Sequence, residues 1–181
     1  MMRPTVREVL ATLLIALLIF LGVQVTVETR VVEGLSMEPN LHNDQRVLVI
    51  KASYWLSDPQ RGDVIIFDSP QDPGRTLIKR VIALPGEAVE IKYGQVYITD
   101  INDNTLILTE PYINEEPNYT YGPRVVPEDE YFVLGDNRNH STDSHSWGML
   151  PRDNIIGEAW LRYWPLSDWH LISGYSYSQD Q

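Results

Sequence analysis

"TLIKRVIALPGEAVEIKYGQVYI", residues 76–98, decides the fold class. Residues 76–84 and 88–98 are rich in β-branched and aromatic side chains, and "LPGE" between them is a stop that a strand cannot absorb. Two strands are therefore expected here, at 76–84 and 88–98. A period of two places Leu77, Lys79, Val81 and Ala83 on one face of the first, and Ile78, Arg80, Ile82 and Leu84 on the other. Each charge then has apolar neighbours on its own face. Desolvation penalises an ammonium, so a lysine held there loses basicity and becomes usable as a general base near neutral pH. The alternative is an edge strand from which Lys79 reaches water along its methylene stem. Arg80 cannot escape burial by shedding a proton, so it needs a carboxylate.

Working outward, similar runs recur at 46–52, 63–69, 130–136 and 154–164, divided by "DPQRGD" and "SPQDPG". Short β-rich runs between turn signals read as an all-β chain. Residues 99–124 are polar, acidic and tyrosine-rich, the character of an insertion or long hairpin rather than of core. The full length of 181 residues and the 43% hydrophobic content suit one ordinary domain with a short appendage. A net charge of -11 argues against a phosphate-neutralising surface, so no nucleic-acid partner is expected. Cysteine is absent, which removes disulfides, thiolate catalysis and cysteine metal ligands together.

The appendage is the uncharged run Val9–Val27, "VLATLLIALLIFLGVQVTV". As a helix it extends about 28 Å, close to a ~30 Å hydrocarbon core. A cleaved secretory signal is the competing reading, but no A-x-A-like site follows the run. Arg3 and Arg7 precede it and Arg30 alone follows closely, which favours a cytoplasmic N-terminus under the positive-inside rule. The expected organisation is a cytoplasmic segment at 1–8, a transmembrane anchor at 9–27 and an extracytoplasmic domain at 28–181.

Two further stretches carry candidate chemistry. In "GLSMEPNL", residues 34–41, Gly34 permits close approach of a substrate backbone, Pro39 sets the exit from a turn, and Ser36 is a candidate nucleophile between them. Most serines so framed are turn residues. "YFVLGDNRNHSTDSHSWG", residues 131–148, runs from a strand into a polar turn that could simply cap itself through Asp and Ser side chains. Its His140 and His145 also admit a Ser-His-Asp hydrolase, or a metal site with Asp143. Tyr54, Trp55 and Leu56, with Trp160, Trp164 and Trp169, form apolar clusters that read either as core or as a membrane-interface belt.

In order along the chain, the anchor, "GLSMEPNL", "RGDVIIF", "LIKRVIALPGE", "VPEDEYFVLGDNRNHSTDSHSWG" and "IGEAWLRYWPLS" resemble the bacterial type I signal peptidases, membrane-anchored serine-lysine proteases. The resemblance covers most of the chain. It implies an all-β fold of twisted antiparallel sheets forming a partly open, barrel-like catalytic core behind one N-terminal transmembrane helix. It implies Ser36 as nucleophile and Lys79 as base, with Ser141 hydrogen-bonded to the lysine amine and Asp136 paired with Arg80. Asp143 would face an arginine two residues on, where this chain has His145, a partner charged only part of the time near pH 7. Asn40 and His140 also depart from the commoner threonine and asparagine. With Gly34 two residues before the nucleophile, backbone N–H groups, including that of Ser36, must serve the oxyanion, and Met37 and Pro39 shape the substrate approach.

No cofactor and no metal are implied. The implied substrates are signal peptides of exported precursors, cut after small side chains at the first and third positions. The implied partners are the lipid bilayer and the protein export machinery, at the outer face of the cytoplasmic membrane. Competing readings are an inactive membrane-tethered β module that binds peptides, and a specialised or self-cleaving processing protease of related fold.

Overall fold

The computed structural model describes residues 5–172 and 174–177; Arg3, used above for orientation, lies outside them. Helix α1 spans Val6–Thr26, capped by a reciprocal pair in which Thr5 Oγ1 accepts from the Glu8 N–H and Glu8 Oε2 from the Thr5 N–H. Among the described residues it is the one helix long and apolar enough to cross a membrane, and none of its side chains is buried in protein. No loop follows. Val27 opens strand β1 (Val27–Val31) directly, because the β-branched run "VTVETRVV" favours the extended chain over another helical turn.

The main sheet contains β1, β2 (Arg46–Ile50), β3 (Val64–Asp68) and β4 (Thr76–Ala83). The smaller sheet follows in sequence with β5 (Ala88–Lys92), β6 (Gln95–Thr99), β7 (Thr105–Ile107) and β8 (Tyr121–Val125). The chain then returns to the main sheet through β9 (Glu130–Leu134), β10 (Leu150–Pro151), β11 (Ile155–Trp164) and β12 (His170–Leu171). The main sheet has eight strands in the order β1-β2-β11-β3-β4-β9-β10, with β12 added on β11; the smaller has four, β7-β6-β5-β8. Every pairing is antiparallel. Register shifts interrupt β11 against both its neighbours and β4 against β9. Such bulges add local twist, and they curl the main sheet into a half-barrel.

The bulge in β4 changes a sequence expectation. Leu77 and Val81 pack with Phe67 on one face and Ile78 packs with Val47 and Val49 on the other, as strict alternation requires. At the shift between Val81 and Ala83 one extra residue enters, so Ala83 joins Ile82 and Leu84 joins Val81. The expected strand at 88–98 is a hairpin instead. Tyr93 and Gly94, both with positive φ, turn the chain between Lys92 and its partner Gln95.

The 99–124 segment is also more than a surface insertion. It supplies β7, β8 and the core residue Leu108, which is 5% exposed. Its polar composition conceals this because the buried members are few and widely spaced. Conversely, the aromatic clusters are not core. Tyr54 is half-buried, but Trp55, Leu56, Trp160, Trp164 and Trp169 are exposed. The shift between Ala159 and Leu161 takes Trp160 out of the β11–β2 register and turns it outward.

Gly157 marks a tight crossing between β11 and β2, where an added Cβ would come within 2.6 Å of the Ile50 carbonyl oxygen. Gly157→Ala is expected to destabilise the fold by about 1–3 kcal/mol through overpacking, read as a lower urea midpoint at unchanged slope.

Candidate active site

Strand β4 lies between β3 and β9, pairing Lys79 with Ile65 and Arg80 with both Val64 and Leu134. It is not an edge, and Lys79, 2% exposed, does not extend its stem out to bulk water. Lys79 Nζ stands 2.6 Å from Ser36 Oγ and donates to the Ile78 carbonyl at 2.8 Å. Desolvation pulls the Lys79 pKa down from 10.5 to about 8, with help from the positive charge of Arg75. The carboxylates of Asp143 and Asp136 oppose the shift without overcoming it.

Ser36 sits in the turn that leaves β1. Glu38 N–H donates to the Leu35 carbonyl, and the Asn40 and Leu41 N–H groups to that of Met37, so the chain folds tightly just beyond the serine. The Met37 side chain anchors that turn in the core at 1% exposure. Gly34 has φ +83° and donates its N–H to Asn43 Oδ1 at 2.7 Å. The Ser36 N–H has no intramolecular acceptor among the described residues. Gly34, Ser36 and Lys79 line a cleft of about 1090 Å³ between residues 29–36 and residues 69–79, with His140 and Trp147 at its side. Met37 and Pro39 do not line it: Met37 faces the core and Pro39 is half-buried behind the turn.

On the opposite face of β4, Arg80 donates to both carboxylate oxygens of Asp136 at 2.8 Å and to the Gly62 carbonyl at 2.8 Å. Burial works against the Arg80 charge, but the hydrogen bonds and charge of Asp136 hold its pKa above the ordinary value. Asp136 Oδ2 also accepts from Asn40 Nδ2 at 2.7 Å. This carboxylate thus ties β4 to the turn that carries Ser36. Sequence reading noted Asn40 only as a departure from a family pattern, and nothing in its spacing marked it as the bridge.

Asp143 caps the short helix α2 (Ser144–Trp147) and accepts from the Gly135 N–H at 2.9 Å. Its Oδ1 lies 2.6 Å from His145 Nδ1, so the pairing expected of an arginine is made by histidine, with the imidazole stacked on Tyr119 at 4.1 Å. The other side of the ring meets Ser146 Oγ at 3.0 Å. That Asp-His-Ser chain is outside the cleft, and Ser146 is exposed. Among the described residues no cluster of three metal-binding side chains occurs. Ser141 departs from expectation. Its Oγ is buried and makes no hydrogen bond among the described residues, to Lys79 or to any other group. It packs against Gly135, where an added Cβ would collide with both Ser141 Oγ and the Ser36 carbonyl oxygen.

Sequence reading missed a second buried network beside the first. Arg138, 1% exposed, forms a two-pronged ion pair with Glu110 at 2.6 Å and donates to the Gly135 carbonyl at 3.1 Å. Tyr112 lies 4.2 Å beneath the Arg80 guanidinium, and its carbonyl accepts from Asn40 Nδ2 at 2.8 Å. Both Glu110 and Tyr112 come from the acidic 99–124 segment, where nothing separates them by pattern from solvated neighbours.

The chain matches the family described as "Signal peptidase, peptidase S26" over residues 5–164, and it belongs to that family. It is 42% identical over 162 residues to the "Probable signal peptidase I-2" of Synechocystis sp., covering 86% of this chain and 72% of that protein. It is 43% identical over 168 residues to the "Signal peptidase I" of Leptolyngbya laminosa, covering 88% and 80% respectively. A crystal structure of a signal peptidase I from Enterococcus faecalis shares 33% identity and a TM-score of 0.49, over 56% of this chain and 97% of that one.

Gly135→Ala removes no functional group but its Cβ forces Ser141 and the Ser36 carbonyl to shift away from it. A displacement of about 1 Å at a reacting atom costs ~100-fold in rate. A fall of that order in kcat, with retained near-UV circular dichroism, is the expected result.

Proposed function

We propose that this protein is a membrane-anchored serine endopeptidase that removes signal peptides from exported precursors, with Ser36 as nucleophile and neutral Lys79 as general base. The observation that carries this reading is the 2.6 Å approach of a buried amine to a hydroxyl within an open cleft. Family membership supplies the substrate class. An inactive peptide-binding module would have no use for a lysine held at such a desolvation cost beside a serine.

In this mechanism Lys79 Nζ takes the Ser36 proton as Ser36 Oγ attacks the scissile carbonyl. The Ser36 N–H donates to the oxyanion as it forms. The Lys79 ammonium then returns the proton to the leaving amine, and an acyl-enzyme remains on Ser36. A water deprotonated by the same amine attacks that ester, releasing the signal segment and regenerating the hydroxyl. Asp136 and Arg80 hold the serine turn against β4, and Asp143 supports Gly135 behind it. Substrate lies extended in the cleft, where backbone hydrogen bonds give affinity and pockets select small side chains at the first and third positions before the cut.

Helix α1 anchors the enzyme with its N-terminus cytoplasmic and the sheets on the outer face of the cytoplasmic membrane, where exported precursors leave the export machinery. The exposed indoles of Trp55, Trp160, Trp164 and Trp169 suit a headgroup layer. Because α1 runs into β1 without a loop, the cleft at 29–36 stays close to that layer.

The protein in detergent is expected to cleave a precursor whose signal ends in A-x-A. Ser36→Ala abolishes cleavage, and Lys79→Ala lowers kcat/KM by roughly 10²–10⁴-fold. Cleavage at the parent rate by Lys79→Ala would remove the base assignment. Only the neutral amine can accept the serine proton, so kcat/KM rises with pH through a midpoint near 8 and levels above it. A flat profile between pH 7 and 9 would contradict this.

A further inference from the structure

The last described residues return to the back of the site. After β11 the chain reverses, β12 pairs Leu171 with Leu161, and the Ile172 N–H donates to the Trp160 carbonyl at 2.8 Å. Gly174–Tyr177 then lies on the loop before β3. The Tyr175 N–H donates to the Gly62 carbonyl at 3.2 Å, the same oxygen that accepts from Arg80 Nη1 at 2.8 Å. Gly62 has φ +97°, and a Cβ there would collide with the Tyr175 carbonyl, so the loop is shaped to receive this segment. Tyr175 and Tyr177 are half-buried and Ser176 between them is exposed, the one-in, one-out pattern of an extended chain laid on a surface.

Both inward rings converge on Tyr112. Tyr175 lies 5.4 Å and Tyr177 6.4 Å from it, centroid to centroid, and 4.8 Å from each other. The Tyr177 and Tyr112 hydroxyls are hydrogen-bonded, and the Tyr112 hydroxyl also donates to Glu110 at 2.5 Å. Burial raises the pKa of both phenols, so the hydroxyls stay protonated and able to donate. On its inner side Tyr112 carries the Arg80 guanidinium, and its carbonyl holds Asn40. The order of contact is therefore C-terminal segment, Tyr112, Arg80 with Asp136, Asn40, and the turn bearing Ser36.

We propose that Tyr175 and Tyr177 are positioning residues: the Gly174–Tyr177 segment is a latch that presses Tyr112 onto Arg80 and so fixes Ser36 relative to Lys79. The proposal rests on the serine-lysine reading above. Neither tyrosine lines the cleft or touches substrate in it. The latch acts by excluding water from the Arg80–Asp136 pair and by holding the Asn40 carboxamide between Asp136 and the Tyr112 backbone. Freed of it, the pair weakens in higher dielectric and the serine turn gains play. Distance is the term to which proton transfer between Ser36 and Lys79 is most sensitive.

The test uses the full chain in detergent with an A-x-A precursor peptide. Variants are Tyr175→Ala/Tyr177→Ala, Tyr175→Phe/Tyr177→Phe, Tyr177→Leu and a chain ending at Ile172. kcat and KM are measured separately on protein whose folded fraction is fixed by its thermal transition. The alanine pair and the shortened chain are expected to lower kcat about ten-fold or more with KM within about two-fold. The phenylalanine pair keeps the rings and recovers most of kcat; Tyr177→Leu, which fills the space without ring or hydroxyl, falls between. Unchanged kcat in the folded alanine pair, or a change confined to KM, overturns the latch. Should the alanine pair fail to fold, Tyr177→Leu decides, since parent-like kcat there overturns the proposal equally. Failure of the parent to cleave, or cleavage by Ser36→Ala, would instead refute the serine-lysine reading.

Discussion

Two adjacent cations on an interior strand are the constraint from which the rest of this structure follows. Lys79 and Arg80 project to opposite faces of β4, and both are nearly lost to solvent. Charge in a low-dielectric interior is costly, and the two side chains resolve that cost in opposite ways. Arginine keeps its proton and must be matched, which Asp136 does with two hydrogen bonds. Lysine can release its proton, and burial drives it toward release. One strand thereby provides a permanent ion pair on one side and a titratable amine on the other.

The two faces are not independent. Asp136 accepts from Asn40 as well as from Arg80, so the ion pair also sets the place of the turn that carries Ser36. Gly135, next to Asp136, leaves space beside its Cα for both Ser141 Oγ and the Ser36 carbonyl, and its N–H is taken up by Asp143. Asp143 and Asp136 both favour the protonated lysine, and desolvation outweighs them. The resulting value near 8 reflects a contest between burial and two carboxylates rather than a single neighbour. His145 Nδ1 pairs with Asp143, with Tyr119 supporting the imidazole face.

The acidic 99–124 segment has a larger part in this arrangement than its composition suggests. Glu110 neutralises Arg138, and Tyr112 forms the floor beneath Arg80. Removing this segment as a dispensable loop would expose both buried guanidinium groups. The same reasoning separates the exposed tryptophans from the core. Their position on the outer surface of strands and turns leaves the hydrophobic packing to the smaller Val, Ile, Leu and Phe residues of the three buried clusters.

Sequence by itself determined the strands within 46–52, 63–69, 76–84, 130–136 and 154–164, the apolar helix and the pairing of Arg80 with a carboxylate, because period-two burial, turn chemistry and desolvation act locally and are written in neighbouring residues. It also carried the family, through motifs in fixed order. The bulge that swaps Ala83 and Leu84, the Tyr93–Gly94 hairpin, the packing of Ser141 Oγ against Gly135 and the bridging of Asn40 came only with the tertiary structure. So did the approach of the C-terminal tyrosines to Tyr112, a contact across 65 residues of sequence. Each depends on which distant backbone groups come within hydrogen-bonding reach, and a one-dimensional pattern holds no distance between residues that meet only when the sheet curls.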